Sequence, residues 1–201
     1  MVQISPLFIA MAVACTLYLS EMGSAMAESS KPVLLDESAS QLKQDFNAAR
    51  GKIRLVLVVD PICPTCLRGM ADVDAALLAK THDRRLQTFV VHVPVIGAQA
   101  ADVPPSYTLL HNANVRHYWN PSGNFGRQLS AALHLTRGDK AAYAWDVWML
   151  YPADTLWNAS VPAPAVFMHQ LPGLPKNQFL DADQFGIRAR ALLAKLPADV
   201  K

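Results

Sequence analysis

The sequence predicts a single α/β domain carrying a helical insertion, and three observations support that fold class. Arg54–Val59 and Thr88–Val93 are nearly continuous apolar runs, the pattern of strands buried on both faces. A helical pattern lies between them, which implies a parallel crossover. A further helical pattern closes the chain behind a short third strand, and 201 residues suffice for one core of ordinary size.

The elements follow in order. Pro6 to Leu19 is an apolar stretch of the length of a signal-peptide core and short for a membrane span. Ala25-Met26-Ala27 then matches an A-x-A cleavage pattern, so residues 1–27 are expected to be a signal peptide cleaved after Ala27, with a retained anchor as the alternative. The mature domain, 28–201, opens with the strand-like Val33-Leu34-Leu35. Ser38 to Arg50 has helix-forming composition, with Leu42 and Phe46 on one face and Gly51 at the stop. Strand Arg54–Val59 ends at Asp60-Pro61. Leu67 to Lys80 reads as a helix burying Met70, Val73, Leu77 and Leu78, and Pro94 stops the next strand. Residues 97–161 read as an insertion, helical over Gly126–Leu135 and Asp139–Tyr151 and lying between the second and third core strands. Ala165–Met168 is the third strand, with Asn177–Leu180 as a candidate hairpin partner. Asp181–Leu196 is a terminal helix with Phe185, Ile187, Ala191 and Leu192 inward.

Composition narrows the function. Hydrophobic residues are 52% and charged residues 17%, so the chain is neither a disordered tail nor a solvating segment. Lys and Arg number 18 against 16 acidic residues, without a block of like charge, which argues against nucleic acid as a partner. Cleavage would remove Glu21 and no basic residue, leaving 18 against 15, or +3. It would also remove Cys15, so the mature chain holds two cysteines, both in Cys63-Pro64-Thr65-Cys66.

A C-x-x-C can be half of a zinc site, a redox pair or a static disulfide. Zinc would need two further ligands, and no second C-x-x-C or close His pair supplies them. Redox chemistry needs the first sulfur at an exposed helix start, where unpaired N–H groups and the helix dipole favour negative charge. Here Cys63 follows a buried strand and an Asp-Pro turn, and Pro64 stands at the first helical position, where a missing N–H costs little. Cys66 falls one turn later, within reach of a mixed disulfide at Cys63. Cys63 is therefore the expected nucleophile and Cys66 the resolving thiol. No organic cofactor or metal is required, because two sulfurs carry both electrons.

The order of elements resembles the thioredoxin fold, and Asp60-Pro61-Ile62-Cys63-Pro64-Thr65-Cys66 resembles the D-P-x-C-P-x-C segment of the bacterial periplasmic disulfide isomerase and oxidase (Dsb) proteins. The resemblance implies a periplasmic thiol–disulfide oxidoreductase. Its substrates would be cysteine-containing exported proteins, and a membrane-bound redox partner would reset the pair. It also implies a cis-proline at the start of the strand facing the cysteines, which helps to bind substrate peptide and keeps metals off the thiols. Pro164, after Ala163, is the candidate and Pro162 the runner-up; Pro64 and Thr65 would flank the same substrate. In that family a buried acid six residues ahead of the first cysteine assists proton transfer. Here that position is Leu57, which leaves Asp60 as the nearest carboxylate, either for proton transfer or as a turn cap. The isomerases' N-terminal dimerisation domain has no counterpart in Glu28–Lys52, so a monomer is expected.

Two other functions compete. His169, at the end of the third strand, could complete a copper site with Cys63 and Cys66 in a copper-binding or delivery protein. The aromatic run Tyr143, Trp145, Trp148, Tyr151 and Trp157 either packs the core or lines a groove in an accessory binding protein whose cysteines form a static disulfide. His92 is expected to be a core histidine.

Overall fold

The computed structural model describes residues 31–112 and 114–198; the expected leader and Cys15 lie outside them. The described chain opens with β1 (Val33–Leu34) and α1 (Ser40–Ala48), whose Leu42 and Phe46 face inward. The carboxylate of Asp36 accepts the Ser40 N–H at 2.9 Å, satisfying one of the free donors at the start of α1. Gly51, at φ +91°, turns the chain into β2 (Ile53–Val59), a position that favours glycine. All seven residues of β2 are buried, as its apolar run requires. Then come α2 (Pro64–Ala76) and β3 (Leu86–His92).

The segment expected to be a helical insertion is different. Residues 97–161 hold β4 (Val115–Trp119), α3 (Asn124–Ala132), a small hairpin of β5 (Thr136–Arg137) and β6 (Lys140–Ala141), and β7 (Val147–Tyr151). The helix expected over Asp139–Tyr151 does not form. Val147-Trp148-Met149-Leu150-Tyr151 is apolar on every side, and all five residues are buried. An amphipathic helix would expose one face of such a run, whereas a central strand covers both. β8 (Val166–His169) and α4 (Ala182–Leu193) complete the chain.

The main sheet has the order β1-β4-β3-β2-β7-β8. β1, β4, β3 and β2 run parallel, whereas β7 pairs antiparallel with both β2 and β8. The terminal hairpin is thus β7–β8. Asn177–Leu180 is not its second strand; Lys176–Gln178 forms a single helical turn, and Phe179 makes only an isolated bridge to His169. A parallel β2–α2–β3 unit with the cysteines after β2, followed by an antiparallel hairpin and a helix, is the thioredoxin-like arrangement expected from the sequence.

Two apolar layers cover the sheet. Val56, Val58, Phe89, Val147 and Met149 pack with Phe46 of α1 and Phe125 of α3. On the other face Leu55, Leu57, Val90, Trp148 and Leu150 pack with Met70 and Val73 of α2 and Phe185 of α4. All four residues expected to face inward from the Leu67–Lys80 segment are buried. In α4 the inward stripe is Phe185, Ala189 and Leu193, an i, i+4, i+8 row, and Ile187 is 51% exposed. No described helix is long and apolar enough to cross a membrane.

Candidate functional site: a dithiol and a carboxylate at the head of a helix

β2 delivers its chain end to the sulfur site. Cys63 is the N-cap residue of α2, in extended conformation, and Pro64 follows as the first helical residue. The Cys66 N–H donates to Cys63 Sγ at 3.4 Å, and Thr65 Oγ1 lies 3.1 Å from the same sulfur. Both cysteines are free. Cys63 is 4% exposed and Cys66 not at all, so an incoming molecule meets Cys63 first. Ile62, Pro64 and Thr65 are exposed around it.

Asp60 is buried beneath the turn. Its carboxylate accepts the N–H of Ile62 at 3.0 Å and that of Ile96 at 2.8 Å, and its carbonyl accepts the Cys63 N–H at 3.1 Å. Those are the contacts of a turn cap that ties the cysteine loop to the segment after β3. Ile96, half exposed, is thereby held beside the same rim.

The carboxylate that reaches the sulfurs is Asp146, which sequence reasoning missed. β7 is the strand beside β2, with Val147 opposite Val58, so the residue opening β7 falls next to the end of β2 and the cysteines. Asp146 sits there at φ +53°, a left-handed conformation that Asp tolerates better than most residues. Its carboxylate lies close to Cys66 Sγ. Burial pushes its carboxyl up to about 6, although the nearby Cys66 thiol pulls the other way. Burial also drives the Cys66 thiol far above its usual value, and the negative charge of Asp146 adds to the effect. Gln170 holds the acid in place. Its backbone N–H donates to the Asp146 carbonyl at 3.0 Å, and its side-chain nitrogen, in the orientation that satisfies its neighbours, donates to Asp146 Oδ1 at 3.2 Å and the Thr65 carbonyl at 3.0 Å. Cys63 Sγ, Cys66 Sγ and a carboxylate oxygen of Asp146 all lie within 4.8 Å of one another.

No family model and no curated protein matches the chain. Several solved structures are similar to it, these three among them. A secreted disulfide oxidoreductase of Mycobacterium tuberculosis, homologous to DsbE of E. coli, is 14% identical over 72% of this chain and 85% of the other, with a TM-score of 0.44. A thioredoxin-family thiol:disulfide interchange protein from Chlorobium tepidum is 12% identical over 73% and 83%, with a TM-score of 0.46. A pneumococcal exposed lipoprotein thioredoxin from Streptococcus pneumoniae is 16% identical over 72% and 88%, with a TM-score of 0.41. The likeness is one of shape, not of sequence. The chemistry of the site therefore stands on its own geometry.

Pro164 and Ala163 lie apart from the sulfurs, and His169 and the aromatic residues have other partners. The structure has no cis peptide bond among the described residues, and Pro164 leads into β8 at the sheet edge instead of into the strand that faces the cysteines. The Ala165 N–H bonds to the Leu150 carbonyl, so Pro164 lies toward the end of β7 remote from Asp146. Ala163 and Pro162 line a groove with Ser38, Lys43 and Gln128. β7, not β8, is the strand beside β2. His169 is buried, and both its ring nitrogens are engaged, Nε2 with the Pro175 carbonyl and Nδ1 with the Leu171 N–H. It is therefore not offered to the cysteines as a copper ligand. His92 is a core residue whose Nε2 meets His117 Nδ1 at 3.1 Å. Of the aromatic run, Trp148, Tyr151 and Trp157 are buried core residues.

A single sequence feature could have exposed both Asp146 and β7. Five consecutive strand-forming apolar residues between an acid and Pro152 obey the same rule that identifies β2.

Proposed function

We propose that this chain is a thiol–disulfide oxidoreductase acting on cysteine-containing exported proteins through Cys63 and Cys66. The observation that carries the reading is the position of the pair. One sulfur caps a helix start just beneath a rim of exposed Ile62, Pro64 and Thr65, and the second lies fully buried one turn behind it.

The chemistry balances with these groups alone. The Cys63 thiolate attacks one sulfur of a substrate disulfide. That S–S bond breaks, a Cys63–substrate disulfide forms, and one substrate thiolate departs. The Cys66 thiol passes its proton to the neighbouring carboxylate of Asp146 and attacks Cys63 Sγ. The substrate leaves as its second thiolate, now reduced by two electrons, and the Cys63–Cys66 pair is left as a disulfide. Run backwards, the same steps oxidise a substrate dithiol, and the pair's potential against its surroundings sets the direction. The A-x-A pattern at Ala25–Ala27 supports export with cleavage after Ala27, hence a 28–201 domain acting in the periplasm, as a monomer reset by a membrane-bound redox partner.

The test is equilibration of the protein in glutathione or dithiothreitol buffers, with the dithiol fraction quantified by alkylation. A reversible two-electron transition is expected. A midpoint near roughly −120 mV makes the protein a disulfide donor, and one near about −270 mV makes it a reductant. A pair that stays oxidised far below that range is a static disulfide, and the proposal fails.

A further inference from the structure

The trio of Cys63, Cys66 and Asp146 is more than a redox pair with a neighbour. We propose that the reduced protein binds one zinc-like divalent cation through Cys63 Sγ, Cys66 Sγ and a carboxylate oxygen of Asp146.

Three features of the site support this. First, the donor atoms converge from separate parts of the chain, two from the head of α2 and one from the loop entering β7, and all lie within 4.8 Å of one another. A tetrahedral zinc, with sulfur at about 2.3 Å and oxygen at about 2.1 Å, spaces such ligands roughly 3.6–3.8 Å apart, so a small closing movement seats the ion. Second, all three residues are buried, which limits competition from water. Third, the donors have supporting partners of the kind metal ligands use. Gln170 grips Asp146 through both its backbone N–H and its side-chain nitrogen, and Cys63 Sγ receives the Cys66 N–H and faces the Thr65 hydroxyl.

The donor set selects the ion. Two thiolates disfavour magnesium and calcium, which take oxygen ligands. The carboxylate disfavours copper(I), which prefers soft sulfur, whereas zinc accepts sulfur and oxygen together. Three protein ligands leave a fourth position for water or an exogenous ligand, reached past Cys63 at the rim. Binding releases both thiol protons to solvent and moves no electrons. A Cys63–Cys66 disulfide has no thiolate to offer, so the ion binds only to the dithiol form.

The experiment is zinc titration of the reduced full-length protein against a chromophoric chelator. One equivalent should bind, binding should vanish once the pair is oxidised, and Asp146→Ala should weaken it at least tenfold. Urea unfolding of the variant checks that it remains folded. Cobalt(II) gives a second reading on the unaltered protein: intense tetrahedral bands with thiolate charge transfer are expected. Binding of equal strength in a folded Asp146→Ala, binding by the disulfide form, or a weak octahedral cobalt spectrum would each overturn the site. Failure here leaves the redox titration untouched, and a static disulfide there would show as an unreactive pair before any metal is added.

Discussion

Of the two roles weighed for Asp60, proton transfer and turn capping, its contacts are those of a cap. Asp60 spends its oxygens on two backbone N–H groups and holds the cysteine loop in shape. Replacing it with Ala leaves both donors without that partner, so a loss of about 1–3 kcal/mol is expected in urea unfolding. An unchanged midpoint would refute the capping role. Asp146 lies beside the resolving thiol, and Asp146→Asn keeps its shape but cannot take the proton. The mixed disulfide should then persist about 10²-fold longer, read by quenched-flow alkylation after mixing with a disulfide peptide. Cys63→Ser should abolish exchange outright, and Cys66→Ser should trap substrates as mixed disulfides visible on non-reducing gels. Cys63 and Cys66 were legible because their chemistry is written in adjacent positions. Asp146 was not, because 80 residues separate it from Cys66 and only the sheet unites them.

At the scale of elements, α2 lies so close to β7 that it leaves no room for a side chain at Gly69. A Cβ there would come within 2.5 Å of Trp148 Cζ2. Gly69→Ala should cost about 1–3 kcal/mol through overpacking. Trp148→Phe removes the clashing ring atoms, so the double variant should be more stable than the sum of the two single losses allows. Strict additivity would show that the two elements do not press on each other there. The same contact explains an error of sequence reading. Trp145 and Trp148, three apart, fit one helical face, but the five apolar residues from Val147 fit a strand flanked on both sides. Local spacing supports both patterns, and the vacancy between β2 and β8 decides for the strand.

Across the whole molecule, buried imidazoles set the response to acid. His92 and His117 are held below the usual histidine value by burial, His117 at about 4, and His169 is lowered for the same reason. The unfolded chain therefore takes up protons below about pH 6.5 that the folded chain refuses, and stability falls as pH drops from there toward about 4. Asp146 runs the other way, because its raised carboxyl value favours proton uptake in the folded state below about pH 6. Three imidazoles outweigh one carboxyl, so the urea midpoint should be lower at pH 4.5 than at pH 7, with a smaller drop in His117→Phe. A midpoint that rises toward pH 4.5 would contradict the balance.

By itself the sequence determined the α/β class, the buried strands β2 and β3, the inward face of α2 and the placing of Cys63 and Cys66 at a helix start. Each of these depends on residues a few positions apart, where periodicity, a proline or a turn acts directly on the backbone. The tertiary structure decided what lies across from those sulfurs. It inserted β7 beside β2, left Pro164 at the sheet edge, engaged both nitrogens of His169 with backbone groups and brought Asp146 to Cys66. Strand pairing joins segments far apart in the chain, and the pairing that wins is the one that buries both faces of every central strand, a property of the whole sheet.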